Sequence, residues 1–100
     1  MIPFKIGRIR MTIFEYKPLG GKLIGISFNY INNIFSDVMI YGDFFVFPEE
    51  SIEDLERTIE GKNLSELLGI IENFFSSDVE VYGIKKEDLE EAFKRARNER

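Results

Sequence analysis

Positions 23–30 read Leu-Ile-Gly-Ile-Ser-Phe-Asn-Tyr. Large apolar residues alternate there with small or polar ones, which is the period of a β-strand that buries one of its two faces. The buried face is expected to consist of Ile24, Ile26, Phe28 and Tyr30. We therefore predict a strand at this place and build the rest of the fold outward from it.

Two further strands are predicted on either side. Residues 8–17 alternate in the same way and place three apolar residues on one face: Ile9, Met11 and Ile13. The cluster Pro18-Leu19-Gly20-Gly21 breaks that strand and turns the chain. Asn32-Asn33 is a second turn, because Asn tolerates a positive φ better than most residues. Val38 to Tyr41 then opens a third strand, which Gly42 closes, and the short turns favour an antiparallel meander.

The second half of the chain has the period of helices. Pro48-Glu49-Glu50-Ser51 is typical of a helix entry, and Gly61 is a plausible end. Between them one apolar stripe recurs at helical spacing: Ile52, Leu55 and Ile59. Asn63 followed by Glu66 predicts a capping box that opens a second helix. Its inward residues are expected to be Leu64, Leu67, Leu68, Ile71 and either Phe74 or Phe75.

A third helix is predicted from about Glu87 to Arg97. Its buried face would consist of Leu89, Ala92, Phe93 and Ala96. Between the second and third helices, Ser76-Ser77-Asp78 is interpreted as a loop and residues 79–82 as possible extended chain. The whole pattern predicts one domain over residues 1–100, with strands at about 8–47 and helices at about 48–98. The expected fold class is α+β, a small antiparallel sheet of about three strands covered by about three helices.

Composition and charge exclude several classes of function. The 100 residues include no Cys and no His, which rules out disulfides and thiolate chemistry and removes the commonest general base and metal ligand. The formal net charge is -5, and the acidic surplus lies in residues 48–100, whereas residues 1–47 carry five basic and three acidic side chains. An acidic chain does not suit nucleic acid or anionic membranes. Without an apolar run of ~20 residues or a signal-peptide pattern, we expect a cytoplasmic protein.

Single motifs are weak indicators of a site. Gly20-Gly21-Lys22 lacks the upstream Gly and the following Ser or Thr of a phosphate-binding loop, so it is interpreted as a turn with an exposed lysine. The acidic faces of the helices are interpreted as solvated surfaces (Glu49, Glu50, Glu53, Asp54, Glu56 and the group Glu87, Asp88, Glu90, Glu91). No catalytic set and no metal site are predicted.

Residues 41–48, Tyr-Gly-Asp-Phe-Phe-Val-Phe-Pro, are the most unusual stretch. In the simplest interpretation this is a core strand in which Gly42 permits a bulge and Asp43 caps backbone N–H groups. Because Phe44 and Phe45 cannot both point inward on a regular strand, we expect one of them to be an exposed anchor for a partner. The predicted partner-contacting residues are Lys22, Tyr41, Gly42, Asp43, Phe44, Phe45 and Phe47.

Several segments occur in an order that is hard to obtain by chance. They are Gly21-Lys22-Leu23-Ile24, Ile40-Tyr41-Gly42-Asp43-Phe44-Phe45, Pro48-Glu49-Glu50, Leu55-Glu56, Ile59-Glu60-Gly61, and Ile84 with Glu87, Asp88 and Leu89. Over about residues 20–97 this pattern resembles the accessory, C-terminal-type domain of lipoate–protein ligases, and above all the free-standing small subunit found in archaea. Residues 1–8 and 74–81 match no motif of that family.

The resemblance implies a role and a fold. In such ligases the large catalytic subunit binds ATP, Mg and lipoate, and the small domain is needed to activate lipoate to lipoyl-adenylate. The chain would then be a non-catalytic subunit that binds no cofactor alone and forms a heterodimer with the large subunit. The implied fold is SufE/NifU-like, although those proteins use Cys and this chain has none.

Two other functions remain open. One is a stand-alone α+β module that binds or senses a small molecule, and the other is a structural homo-oligomer that buries its aromatic strand against a second copy. In the subunit interpretation, the mildly basic strand half is the expected docking face.

Overall fold

The computed structural model describes residues 11–99, which form five strands and three helices within that range. The elements in chain order are β1 Thr12–Tyr16, β2 Ile24–Ile31, β3 Ile34–Gly42, β4 Phe45–Phe47, α1 Ser51–Ile59, α2 Leu64–Ser76, β5 Glu80–Tyr82 and α3 Lys86–Glu99. The α+β fold with three antiparallel strands in one sheet and three helices is confirmed. The predicted start of the first strand, Arg8 to Arg10 with Ile9, lies outside the described residues.

The main sheet has the strand order β1-β2-β3, and both pairs are antiparallel. The predicted strand at 23–30 is its central strand, which explains why its apolar face is the most completely buried. The turn at Asn32-Asn33 is confirmed, with φ angles of 54° and 67°. Two positive φ angles in a two-residue turn match the right-handed twist of a β-hairpin, and Asn adopts them at low cost.

The third strand is longer than predicted. It begins at Ile34, whereas the predicted strand began at Val38. The prediction missed the first half of the strand because an irregularity interrupts the alternation there. Phe28 on β2 faces two residues, Asp37 and Val38, so this is a β-bulge. Asp37 has a φ of 52°, and its carboxylate accepts a hydrogen bond from Nδ2 of Asn29 at 3.0 Å.

The core lies between one face of the main sheet and the helices. Ile24, Ile26 and Phe28 are fully buried there, as predicted for the central strand, whereas Tyr30 is half-buried. The predicted buried face of α3 is also confirmed: Leu89, Ala92, Phe93 and Ala96. Phe35 joins the two layers, with its ring centroid 5.2 Å from that of Phe28 and 5.7 Å from that of Phe93.

The helix boundaries follow the predicted signals closely. Asn63 and Glu66 form the predicted capping box: Oδ1 of Asn63 accepts a hydrogen bond from the backbone N–H of Glu66 at 2.8 Å, and the backbone N–H of Asn63 donates one to Oε1 of Glu66 at 3.1 Å. Gly61, with a φ of 78°, follows the end of α1 as expected. Three boundaries differ by one or two residues: α2 includes Ser76, and α3 runs from Lys86 to Glu99 instead of from about Glu87 to Arg97.

The predicted solvated character of Glu56 is wrong. β3 is an edge strand, and α1 lies along that edge instead of another strand. The carboxylate of Glu56 accepts a hydrogen bond from the backbone N–H of Ile40 at 2.7 Å, and that of Glu60 accepts one from Asp37 at 2.9 Å. Two side chains one helical turn apart therefore satisfy edge donors that would otherwise invite strand pairing.

We expect Glu56→Ala to lower the free energy of unfolding by about 1.5–3 kcal/mol, because a charge-assisted bond to a partly buried N–H is lost. Glu53→Ala, on the exposed side of the same helix, should change it by less than about 0.5 kcal/mol. Urea denaturation of the two variants measures the difference. Equal stabilities would show that the carboxylate of Glu56 does not support the strand edge.

Candidate docking surface

The predicted aromatic stretch forms half of a second, two-stranded sheet. β4 pairs antiparallel with β5, and Phe45 lies opposite Tyr82 while Phe47 lies opposite Glu80. Phe45, Phe47 and Tyr82 project from it with 75%, 64% and 56% of their surface exposed. We refer to these three residues as the aromatic face. Aromatic residues of this kind dominate the binding energy of protein interfaces.

Phe44, the residue before β4, and Phe45, the first residue of β4, differ in burial. Phe44 is half-buried and packs against the core, whereas Phe45 points to solvent. Phe44 also approaches Gly83, where an added Cβ would lie 3.3 Å from the Cα and Cβ of Phe44. Of the two candidate anchors, the structure therefore leaves Phe45 available and uses Phe44 to attach the small sheet to the rest of the molecule.

Tyr41 is held in one position on the main sheet. Its ring lies over Gly25, its neighbour on β2, and a Cβ added to Gly25 would come within 2.2 Å of the ring. Its hydroxyl donates a hydrogen bond to Glu15 at 3.1 Å across β2. Partial burial, supported by this bond, raises the pKa of the Tyr41 phenol. The phenol is thus a neutral, pre-positioned group with 39% of the residue exposed.

A cavity of about 270 Å³ connects Tyr41 with the aromatic face. Its walls are mostly apolar and include Tyr41, Phe44, Phe45 and Ile52, with Glu49 as the one acidic side chain that lines it. Tyr41 and Phe45 therefore belong to one continuous surface, although they lie on different sheets.

Gly42, Asp43 and Lys22 have backbone roles in the junction between the sheets. The predicted bulge at Gly42 is wrong, because Gly42 pairs in register with Ile24, and the bulge lies at Asp37. A Cβ at Gly42 would lie 2.1 Å from the carbonyl oxygen of Leu23, so the close approach of two strands requires glycine. The backbone N–H of Asp43 donates to the same oxygen at 3.0 Å, and that of Lys22 donates to Gly83 at 3.2 Å. Both side chains are exposed.

Tyr82 is the residue of this surface that the sequence did not point to. The extended chain predicted at residues 79–82 is confirmed, but its pairing with β4 joins segments far apart in the chain. The hydroxyl of Tyr82 donates a hydrogen bond to Glu80, and this bond raises the pKa of the phenol. The only available signal was the alternation of Val79, Glu80, Val81 and Tyr82.

The chemistry of this surface suits binding. Among residues 11–99, no three acidic side chains are grouped as a metal site would require. None of the helices in the same range is long and apolar enough to cross a membrane. A separate cavity of about 280 Å³ lies between α1 and α2, with Leu55, Ile70 and Phe74 in its walls. It is the concave site that a stand-alone small-molecule module would use.

Comparison with known proteins supplies the family. Residues 18–93 match the model of the bacterial lipoate protein ligase C-terminus. The lipoate-protein ligase A subunit 2 of Thermoplasma acidophilum is 35% identical over 72 residues, which is 72% of this chain and 77% of that protein.

A solved structure has the same fold. It is a chain from the archaeal lipoylation system of Thermoplasma acidophilum, described as a bi-partite lipoate protein ligase and its E2 lipoyl domain. The two chains are 32% identical and superpose with a TM-score of 0.75, over 83% of this chain and 93% of that one. The family match over residues 18–93 spans β2 to β5, α1, α2 and part of α3, which is more than half of the chain, so this chain belongs to the lipoate protein ligase C-terminus family.

Proposed function

We propose that this chain is the accessory subunit of a bipartite lipoate–protein ligase. It acts with a separate catalytic subunit in the ATP-dependent activation of lipoate to lipoyl-adenylate, and hence in the lipoylation of proteins. The observation that carries the proposal is the similarity, over most of both chains, to a subunit of an archaeal bi-partite ligase.

The chain itself carries no catalytic step in this proposal. Its sequence has no His or Cys, and the carboxylates of Glu56 and Glu60 accept hydrogen bonds from backbone donors of β3. ATP, Mg and lipoate bind to the catalytic subunit. The small subunit contributes binding energy, and it favours the conformation of its partner in which adenylation takes place.

The aromatic face and the adjoining Tyr41 are the contact surface in this proposal. Phe45 and Phe47 are exposed anchors, while Phe44, Gly42 and Asp43 hold the two sheets in their relative position. Lys22 lies at the same junction, where its charge is available to the partner. The exposed aromatic side chains of the described residues, Tyr41, Phe45, Phe47 and Tyr82, all lie on this surface, and aromatic residues dominate the binding energy of protein interfaces.

Reconstitution tests the proposal. The catalytic subunit from the same organism is assayed for ATP-dependent lipoyl-adenylate formation with and without this chain. We expect adenylate formation only when both are present, because the partner alone lacks the contacts that favour its active conformation. Unchanged activity on omission of this chain would refute the accessory role. Calorimetry of the isolated chain with lipoate and with ATP should show no binding, whereas a stand-alone small-molecule module would bind.

A further inference from the structure

One face of the main sheet is exposed. Of its residues, only Tyr41 was among the partner-contacting residues predicted from the sequence. The helices cover one side of β1-β2-β3, and the other side carries four large residues with 39–67% of their surface exposed: Met11, Ile13, Met39 and Tyr41. We refer to these four as the open face. The solvated side of an antiparallel sheet normally carries polar residues, so large apolar groups in these positions indicate a surface that is covered by a partner.

The geometry of the open face is that of a shallow platform. Ile13 and Met39 flank Ser27 in register, one on each neighbouring strand. In the next row, Gly25 is covered by the ring of Tyr41, which the hydrogen bond to Glu15 holds in place. On this face the residues of β2 are small and those on the neighbouring strands are large, so the surface is flat over β2 and raised by apolar side chains on β1 and β3. Such a surface needs little rearrangement to bind, which reduces the entropic cost of association.

The open face continues directly into the aromatic face. Met39 and Tyr41 project from the same side of β3, and Tyr41 shares the 270 Å³ cavity with Phe45. The two faces are therefore neighbours along one surface of the molecule.

The exposed area of the aromatic face is smaller than the area that a stable protein interface buries. At roughly 200–250 Å² for a large residue, its three exposed fractions amount to about 400–490 Å². A stable interface of standard size buries about 800 Å² on each partner. The open face adds about 400–500 Å² on the same basis, so the two faces together reach that area whereas the aromatic face alone falls short.

The charged side chains around the open face indicate which charge a partner would carry there. Met11 and Met39 line a hollow of about 690 Å³, and its other walls include four carboxylates and one cation. The carboxylates come from the bulge, from α1 and from the residue that follows α1: Asp37, Glu53, Glu56 and Glu60; the cation is Arg57. The strand half that was expected to be the docking face has two basic and three acidic side chains among its described residues. Its positive balance came from Lys5, Arg8 and Arg10, which lie outside them.

We propose that the open face is the second half of the docking surface, and that its occupant is the catalytic subunit, which presents an apolar surface bordered by basic side chains. This inference rests on the proposed function, since it assumes that such a partner exists. It assigns to Ile13 and Met39 a role in binding that the sequence pattern of the aromatic stretch does not indicate.

The test uses the full chain with the catalytic subunit. Ile13→Glu and Met39→Glu each place a charge in the centre of the open face, and each should weaken the complex about tenfold or more in calorimetry. Leu19→Glu is the matched control, because Leu19 is a fully exposed apolar residue in the turn after β1. It should bind within about twofold of the unaltered chain. Circular dichroism verifies that all three variants are folded.

The outcomes separate this inference from the proposed function. If the unaltered chain supports adenylate formation while both glutamate variants bind as tightly as it does, the open face is not part of the interface and the accessory role stands. If the unaltered chain neither binds nor stimulates the catalytic subunit, both proposals fail. A homodimer of the isolated chain that Met39→Glu converts to a monomer would identify a second copy as the occupant instead. If the affinity does not fall with added salt, the proposal that basic side chains border the partner's surface is wrong.

Discussion

Phe35→Ala is expected to lower the free energy of unfolding by about 3–5 kcal/mol, the range for removing a buried phenylalanine. Phe35 is fully buried, and its ring meets those of Phe28, Tyr30 and Phe93 at centroid distances of 5.2, 4.7 and 5.7 Å. The cavity would open where β2, β3 and α3 meet. A domain of this size is typically stable by about 5–15 kcal/mol, so the variant should unfold in part under mild conditions.

Phe45→Ala provides the control for this result. The same side chain is removed, but Phe45 has 75% of its surface exposed, and the change should be within about 0.5 kcal/mol. Thermal and urea unfolding of both variants measure the two values. Similar losses in the two variants would contradict the burial pattern on which the fold depends.

The second large effect is expected in the complex with the catalytic subunit. Phe45→Ala combined with Phe47→Ala should weaken the complex at least thirtyfold. An aromatic anchor in an interface contributes about 2 kcal/mol or more, and the loss of one such anchor already corresponds to that factor. When the double variant is present at limiting concentration, adenylate formation should fall together with complex formation. An excess of the double variant should restore it. Calorimetry and the adenylation assay together measure both changes.

Phe44→Ala separates binding from folding. Phe44 packs against the core, so its loss should reduce stability as well as binding, whereas the Phe45 and Phe47 variant should be folded normally by circular dichroism. If the complex with the double variant is as tight as that with the unaltered chain, the aromatic face does not contact the partner.

Local signals in the sequence identified much of the fold. The stripe Ile52, Leu55 and Ile59 predicted α1, and the capping box at Asn63 predicted the start of α2 at the correct residue. The two asparagines after β2 predicted the hairpin. Each of these signals acts over a few neighbouring residues, and therefore it can be recognised without any knowledge of the tertiary structure.

The errors arose where distant residues compete with the local pattern. The bulge at Asp37 interrupts the alternation of β3, so that the sequence pattern missed Ile34 to Asp37 and with them the central residue Phe35. Glu56 has the same sequence context as the exposed glutamates beside it. Only the position of α1 along the β3 edge brings its carboxylate to the backbone of Ile40.

For the candidate site, the stretch 41–48 was recognisable because aromatic residues are concentrated in it, and strand alternation required that Phe44 and Phe45 point in opposite directions. Periodicity alone shows that two faces exist but not which one is covered. Met11 and Ile13 share a face as predicted, yet α3 packs on the opposite side of the sheet, and so they remain exposed.

The sequence by itself determined the α+β class, the three helices with the capping box of α2, the central strand and the family, because these depend on short-range periodicity and on residues in a recognisable order. The tertiary structure alone decided the pairing of β4 with β5, the open face of the main sheet and the contact between Tyr41 and Gly25. These features join residues that are far apart in the chain, and which surfaces stay exposed depends on how the helices pack against the sheet.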